Sequence, residues 1–210
     1  MPPRILVLIA LAACGGAPAP EAKPLSPREA MEKLLAGNRR FVSGIPTSRY
    51  GTAERRKQLA TGQRPFAVVV CCSDSRVGPE VVLDQGLGDI FVIRTAGEIV
   101  DDVGLGSIEY AVEHVGVPLV LVLGHERCGA VTAALAGGEA KGHIGALVKA
   151  IAPAVEESKG APGDALDNAV RTQIRDVVRK IREAVVHEHR VEVVGARYDL
   201  DTGVVEVIDR

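Results

Sequence analysis

The sequence predicts an α/β fold, in which a central, mostly parallel β-sheet is flanked by helices and preceded by an N-terminal helical arm. Three apolar runs lack the alternation of a strand with one solvent-facing side, so they are expected to be buried on both faces. Amphipathic segments separate the later runs, and strands that alternate with helices form βαβ units with parallel strands. Apolar residues make up 47% of the 210-residue chain, which is enough for one substantial core.

The helical arm is predicted to run from Pro27 to Val42. Ser26 and Glu29 match a capping box around a proline at the first helical position. Apolar residues then recur at the spacing of one helix face. A second, short helix is predicted over residues 53–60.

The other elements follow from the same two periodicities. Continuous apolar runs predict strands, helical spacing predicts helices, and two Val-rich segments around Asp201-Thr202-Gly203 predict a terminal hairpin. In chain order they are a strand over 66–71, a strand over 90–93, a helix over 105–115, a strand over 119–123, helices over 130–135, 144–155 and 165–186, and hairpin strands over 191–194 and 204–207.

The first 25 residues are predicted to lie outside the folded domain. The apolar run from Ile5 to Ala13 is far shorter than the ~20 residues that span a bilayer, and it suits the central region of a signal peptide. The segment that ends at Cys14 resembles the lipobox of bacterial lipoproteins, which implies that Cys14 is lipidated. The alternatives are an ordinary cleaved signal with a chance cysteine, or a misread start site.

These features predict three regions and a location. They are a signal peptide over 1–14, a flexible Gly/Ala/Pro-rich tether over 15–25 and one domain over 26–210. We expect export to the periplasm or cell surface, with contact to the membrane only through the lipid anchor at Cys14. The formal net charge of −2 offers no general positive field for nucleic acid, so we expect no nucleic-acid partner.

Two polar clusters come at the ends of two buried strands. Cys72, Asp74 and Arg76 follow the first strand, and His125 and Cys128 follow the third. The carboxyl ends of parallel strands share one edge of a sheet, where α/β proteins bind ligands. Two thiolates and an imidazole favour zinc, and three protein ligands leave the fourth position open, as in catalytic zinc sites. Each residue alone would equally suit a packed core thiol or a metal-free loop, so the prediction depends on their joint placement.

The spacing Cys72-x-Asp74-x-Arg76 with His125-x-x-Cys128 closely resembles the signature of the β-carbonic anhydrases. The resemblance covers essentially the whole mature chain, and its further matches include 35–41, Gly62-Gln63, 84–89, Phe91, Arg94, Ala96-Gly97, 108–111 and Leu123-Gly124. It implies one Zn²⁺ per subunit, with Cys72, His125 and Cys128 as metal ligands and Asp74 and Arg76 as a catalytic dyad. The implied substrates are carbon dioxide and bicarbonate.

The same resemblance implies a substrate pocket and an oligomer. Gln63, Phe91, Ala96 and Tyr110 would line the carbon dioxide pocket, and the backbone N–H of Gly129 would bind substrate or bicarbonate. Because the family works as dimers or larger assemblies, part of the lining would come from a neighbouring subunit. We therefore expect a homodimer or homotetramer.

Asp74 is expected to orient the hydroxide that zinc makes available at neutral pH, and Arg76 to keep Asp74 ionised. In some family members the aspartate moves onto the metal and closes the site, a process that uses a tryptophan three positions before the first zinc cysteine. Val69 occupies that position here, and the chain has no tryptophan. We therefore expect the open form of the site.

Three alternative functions remain at this point. A related zinc hydrolase would act on carbon disulfide or carbonyl sulfide with the same ligands. A non-catalytic zinc-binding homologue would keep the fold without turnover, although a structural site would need a fourth ligand and no dyad. A thiol oxidoreductase is the weakest candidate, because no Cys-x-x-Cys is present and the adjacent Cys71 and Cys72 would point to opposite faces of a strand.

Overall fold

A computed structural model of the chain describes residues 24–47, 51–138, 140–185 and 190–210. The predicted signal peptide, the lipidation site Cys14 and most of the predicted tether lie outside the described residues. Among the described residues, no helix combines the length and the apolar character needed to cross a bilayer.

The predicted α/β fold is confirmed. Five strands form one sheet in the order β2-β1-β3-β4-β5, in which only β5 is antiparallel to its neighbour. The strands are β1 Ala67–Cys72, β2 Ile90–Thr95, β3 Leu119–His125, β4 Glu192–Tyr198 and β5 Val205–Asp209. The helices are α1 Pro27–Val42, α2 Ala53–Leu59, α3 Pro79–Val82, α4 Asp102–Glu109, α5 Gly129–Ala136, α6 Ile144–Ser158 and α7 Ala165–Ala184.

The helical arm α1 has the predicted bounds because its capping box forms. The Ser26 side chain accepts the backbone N–H of Glu29, and the Glu29 side chain accepts the N–H of Ser26. Farther along α1, the buried Asn38 amide donates to the carbonyls of Val82 and Gly203, so the arm is fixed to the body of the chain.

The sheet separates two apolar cores. Val68, Val70 and Cys72 of β1 point into the core beneath α4–α7, whereas Val69 and Cys71 point into the core beneath α1 and α3. The prediction that Cys71 and Cys72 face opposite sides is therefore confirmed. Burial raises the pKa of Cys71 to about 12, as expected of an inert core thiol.

Several predicted boundaries were wrong by a few residues. The helix predicted over 105–115 begins earlier, at the Asp101 N-cap, and its last turn over Tyr110–His114 is a wider π-helical turn. The four-residue α3 and the 3₁₀ turn Ala96–Glu98 were not predicted, because such short segments show no period. The strands β1 and β3 continue for one and two residues beyond their predicted ends.

Candidate metal centre

Two of the predicted ligands are the last residues of neighbouring strands, not the first residues of the following loops. Parallel pairing continues through Cys72, opposite Thr95, and through His125, opposite Tyr198. Because β1 and β3 are adjacent and parallel, both side chains reach the same edge of the sheet. Strand pairing at this edge therefore fixes the backbone of both ligands.

The structure brings Cys72, His125 and Cys128 together in a buried cluster. One ligand atom from each residue lies within 4.8 Å of the others. The two Sγ atoms are 3.9 Å apart. Two thiolates on a tetrahedral zinc at Zn–S distances of ~2.3 Å would be separated by ~3.8 Å, so the observed spacing fits zinc.

His125 presents one ring nitrogen to this cluster. Its Nδ1 lies 2.7 Å from the backbone carbonyl of Glu126. A carbonyl only accepts, so Nδ1 carries the proton and Nε2 has a free lone pair. Nε2 is fully buried without a hydrogen-bond partner among the described residues, which is rare for a buried polar atom and is explained by a metal ion.

The surroundings of the two thiols favour the thiolate form at Cys72 and the protonated form at Cys128. The Cys128 thiol, the His125 ring and the N–H of Gly97, at 3.3 Å from Cys72 Sγ, together lower the pKa of Cys72 to about 4 against the effect of burial. Cys128 is the N-cap of α5, where the helix dipole favours a negative charge, but the Cys72 thiolate, burial and Glu98 together raise the pKa of Cys128 well above its ordinary value. The pair therefore shares one proton, which a metal ion would displace, and two sulfurs with one imidazole are a donor set that suits zinc.

Asp74 and Arg76 form a bidentate ion pair beside the cluster. Arg76 Nε and Nη2 donate to Asp74 Oδ1 and Oδ2 at 2.9 and 2.7 Å, and the Arg76 backbone N–H donates to Oδ1. These hydrogen bonds from Arg76 hold the pKa of Asp74 well below its usual range. Asp74 Oδ2 lies 3.8 Å from His125 Nε2, so an ionised carboxylate adjoins the cluster.

Arg94 and Glu98 also contact or adjoin the site, and sequence reasoning gave neither a role. The Arg94 guanidinium donates to the backbone carbonyls of Cys72 and Asp74 at 2.9 and 2.8 Å. Glu98 is completely buried, and burial raises its pKa well above the ordinary value, with the nearby Cys72 thiolate contributing. The sequence around Glu98 gives no signal that would distinguish a buried carboxyl group from an exposed one.

The predicted pocket residues divide into two groups. Ala96 and Gly129 lie at the metal edge of the sheet, next to Gly97 and Cys128. Phe91 lies opposite Val68 on β1, four residues or ~13 Å along the strand from Cys72. Gln63 is exposed, and Tyr110 is 50% exposed, with its ring against His114 on the outer face of the chain.

Comparison with known proteins agrees with this geometry. The family model described as Carbonic anhydrase matches residues 67–205. Carbonic anhydrase 2 of Mycobacterium tuberculosis is 40% identical over 188 residues, which cover 85% of this chain and 91% of the relative. The carbonic anhydrase of Mycolicibacterium smegmatis is 39% identical over 87% of this chain and 93% of its own length. A tetrameric β-carbonic anhydrase of Sordaria macrospora superimposes with a TM-score of 0.65 at 28% identity, covering 72% of this chain and 84% of that one.

Proposed function

Because the chain belongs to the β-class carbonic anhydrases, we propose that it hydrates carbon dioxide to bicarbonate at a zinc ion held by Cys72, His125 and Cys128. The observation that carries the ligand assignment is the buried Nε2 of His125, which has no hydrogen-bond partner among the described residues and lies within 4.8 Å of two thiol sulfurs, a spacing that suits a zinc ion between them. Three protein ligands leave one tetrahedral position for the reaction.

In the proposed reaction, Asp74 orients the attacking water. When bound, zinc supplies Lewis-acid activation of water at neutral pH. The Asp74 carboxylate accepts a hydrogen bond from the attacking oxygen, which aims a lone pair at the carbon of the substrate. A C–O bond forms, one C=O electron pair moves to its oxygen to give bicarbonate, and the water's proton leaves to solvent.

Arg76 is proposed to keep Asp74 in the form and place that this step needs. Two N–H groups of Arg76 contact the two carboxylate oxygens, so the carboxylate stays ionised and both of its oxygens are engaged by the guanidinium. This pairing supports the open form of the site. Val69, where some relatives have a tryptophan, also supports it.

We further propose that a second copy of the chain completes the pocket. Among the described residues no strand pairs with the outer edge of β2, which carries the half-buried Ile90, Phe91, Val92 and Ile93, and such an edge is usually covered. The outer face of α4 and its continuation carries Val103, 78% exposed, and Tyr110. Phe91 lies ~13 Å along the strands from this chain's own metal edge, and Tyr110 is half exposed, so both could line the pocket of a neighbour.

The substitution Val103→Arg is expected to convert the oligomer into monomers and to lower the hydration rate, because a buried arginine would oppose association at this face. Light scattering coupled to size-exclusion chromatography gives the mass. Val204→Arg is the control, because it adds the same charge near the opposite edge of the sheet. The mass of this variant should still be that of a dimer or a larger assembly. A Val103→Arg variant with native mass would contradict this interface.

We propose export and lipid anchoring at Cys14, on the basis of the sequence pattern alone. In a bacterial host, Cys14→Ser is expected to move the protein from the membrane fraction to the soluble fraction and to abolish labelling by a radioactive fatty acid. Cys71→Ala, which removes a buried cysteine, is the control and should remain labelled. Unchanged fractionation and labelling of the Cys14→Ser protein would show that Cys14 is not an anchor.

The proposed substrate is tested by one zinc-loaded preparation given carbon dioxide, carbonyl sulfide and carbon disulfide in turn. Stopped-flow measurement with a pH indicator follows hydration, and release of hydrogen sulfide follows the other two reactions. We expect hydration to have by far the largest kcat/KM. Faster sulfide release would assign the chain to sulfur substrates, and no turnover of any substrate would indicate a non-catalytic zinc protein.

A further inference from the structure

We propose that the turn between β4 and β5 positions the metal centre. This terminal turn, residues 199–203, acts through Glu126 and Arg127, the two residues between His125 and Cys128. The inference rests on the metal site proposed above and adds to it a group of positioning residues that do not contact the metal. The terminal turn follows Tyr198, which is paired with His125 in the sheet.

Glu126 connects the His125 imidazole to the end of β4. Its carbonyl accepts the proton of His125 Nδ1, which sets the tautomer and the plane of the ring. Its own N–H donates to the carbonyl of Tyr198 at 3.0 Å, and its carboxylate accepts the N–H of Leu200 at 3.0 Å and pairs with Arg197 at 2.9 Å. The carbonyl that orients the imidazole is therefore held by three contacts to the segment 197–200.

Arg127 connects the other side of the same short loop to the terminal turn. Its Nη1 and Nη2 donate to the two carboxylate oxygens of Asp201 at 2.9 and 2.8 Å. Its φ of +49° lies in the left-handed region, which is unfavourable for a residue with a long side chain. The bidentate pair therefore offsets a strained conformation that directs the next residue, Cys128, into the cluster.

The terminal turn is itself rigid enough to act as an anchor. Asp199 Oδ1 accepts the backbone N–H groups of Asp201 and Thr202 at 3.1 and 2.8 Å, and the N–H of Gly203 donates to the Asp199 carbonyl. Glu126, Asp199 and Asp201 bring carboxylate oxygens within 4.8 Å of one another. Arg127 and Arg197 pair with these carboxylates, so the acidic group functions as a charge-paired support and carries no second cation site.

An exposed ion pair contributes little to global stability, and Asp201 is 71% exposed. The expected effect is therefore on the metal ligands and not on folding. Removing an outer-shell partner of a metal ligand lowers metal affinity by about 10–100-fold. Asp201 does not contact a metal ligand itself but holds Arg127, the residue before Cys128. We therefore expect a loss of zinc affinity at the lower end of that range.

The test compares zinc affinities of purified full-length variants by competition with a chromophoric chelator. Asp201→Asn and Arg127→Ala are each expected to raise the zinc Kd about tenfold. The double variant should be no weaker than either single variant, because the two residues act as one unit. Asp201→Glu, which keeps the charge, should restore part of the affinity. Glu156→Gln, which removes the exposed pair with Lys159, is the matched control and should leave the Kd unchanged.

Two further readouts separate positioning from other effects. The visible absorption spectrum of the cobalt(II)-substituted protein reports ligand geometry without turnover, and Asp201→Asn should change its band intensities. Arg127→Gly removes the ion pair but also relieves the backbone strain, so it should bind zinc more tightly than Arg127→Ala and less tightly than the unmodified protein, because the loop still loses its attachment to the terminal turn. Native affinity and a native cobalt spectrum in Asp201→Asn, or native affinity in Arg127→Gly, would overturn the positioning role. Failure of the unmodified protein to bind zinc would instead overturn the proposed function.

Discussion

Cys72→Ser is expected to eliminate both zinc binding and carbon dioxide hydration. A serine hydroxyl is a hard, protonated donor at neutral pH and cannot replace a thiolate, so the site would keep only His125 and Cys128. Metal analysis of the purified protein should find far less than one zinc per chain, because the loss of one thiolate ligand weakens zinc binding by a large factor. The hydration rate should fall to the background rate.

The neighbouring cysteine provides a matched control for this prediction. Cys71 is equally buried but points into the opposite core, away from the cluster. Cys71→Ala should retain zinc and activity and lose only the modest stability expected of a small cavity, about 1 kcal/mol. If Cys72→Ser held a full equivalent of zinc while Cys71→Ala lost it, the ligand assignment on β1 would be wrong by one residue.

Asp74→Asn is expected to keep zinc and lose most of the turnover. The asparagine side chain has nearly the shape of aspartate, but its amide nitrogen donates where the carboxylate accepts, so the attacking water would lose its orientation. A positioned acid–base group typically contributes 10²–10⁴-fold, and we expect kcat/KM to fall at least about a hundredfold. Stopped-flow hydration and metal analysis on the same sample measure both quantities.

The pH dependence provides a second check on Asp74. The Arg76 guanidinium holds the pKa of Asp74 below the ordinary value of 3.8. The carboxylate is therefore ionised at every pH above about 4. Its contribution to activity and stability is therefore present above pH 4 and is lost only as the pH falls through the lowered pKa.

Full activity in a zinc-loaded Asp74→Asn protein would contradict the role proposed for the carboxylate in the reaction.

The metal-ligand cluster could be predicted from the sequence because it depends on two local patterns, the apolar runs of the buried strands and the polar residues that follow them. Buried strands are readable as apolar runs, and parallel pairing brings their carboxyl ends together, so Cys72 and His125 had to share an edge. The contacts that hold the ligands could not be predicted in this way. Arg127 and Asp201 are 74 positions apart, and it is the parallel pairing of β4 with β3, with Tyr198 opposite His125, that brings the terminal turn to the metal edge.

The pocket illustrates a different limit. Ala96 and Gly129 are placed by the chain's own strand ends and helix start. In the pocket proposed above, the lining assigned to Gln63, Phe91 and Tyr110 would come from a neighbouring copy, because these residues are exposed or half-buried in a single chain. A sequence pattern identifies such residues by resemblance only, since no local period connects them to the site that they would complete.

The central claim is that Cys72, His125 and Cys128 share one zinc ion and leave one position for a light ligand. X-ray absorption spectroscopy at the zinc edge measures this coordination directly in the unmodified protein. The account predicts one zinc per chain with two sulfur neighbours at ~2.3 Å and two nitrogen or oxygen neighbours at ~2.0–2.1 Å, one of them with imidazole scattering. A spectrum with fewer than two sulfurs, with three or more sulfurs, or without imidazole scattering would contradict it.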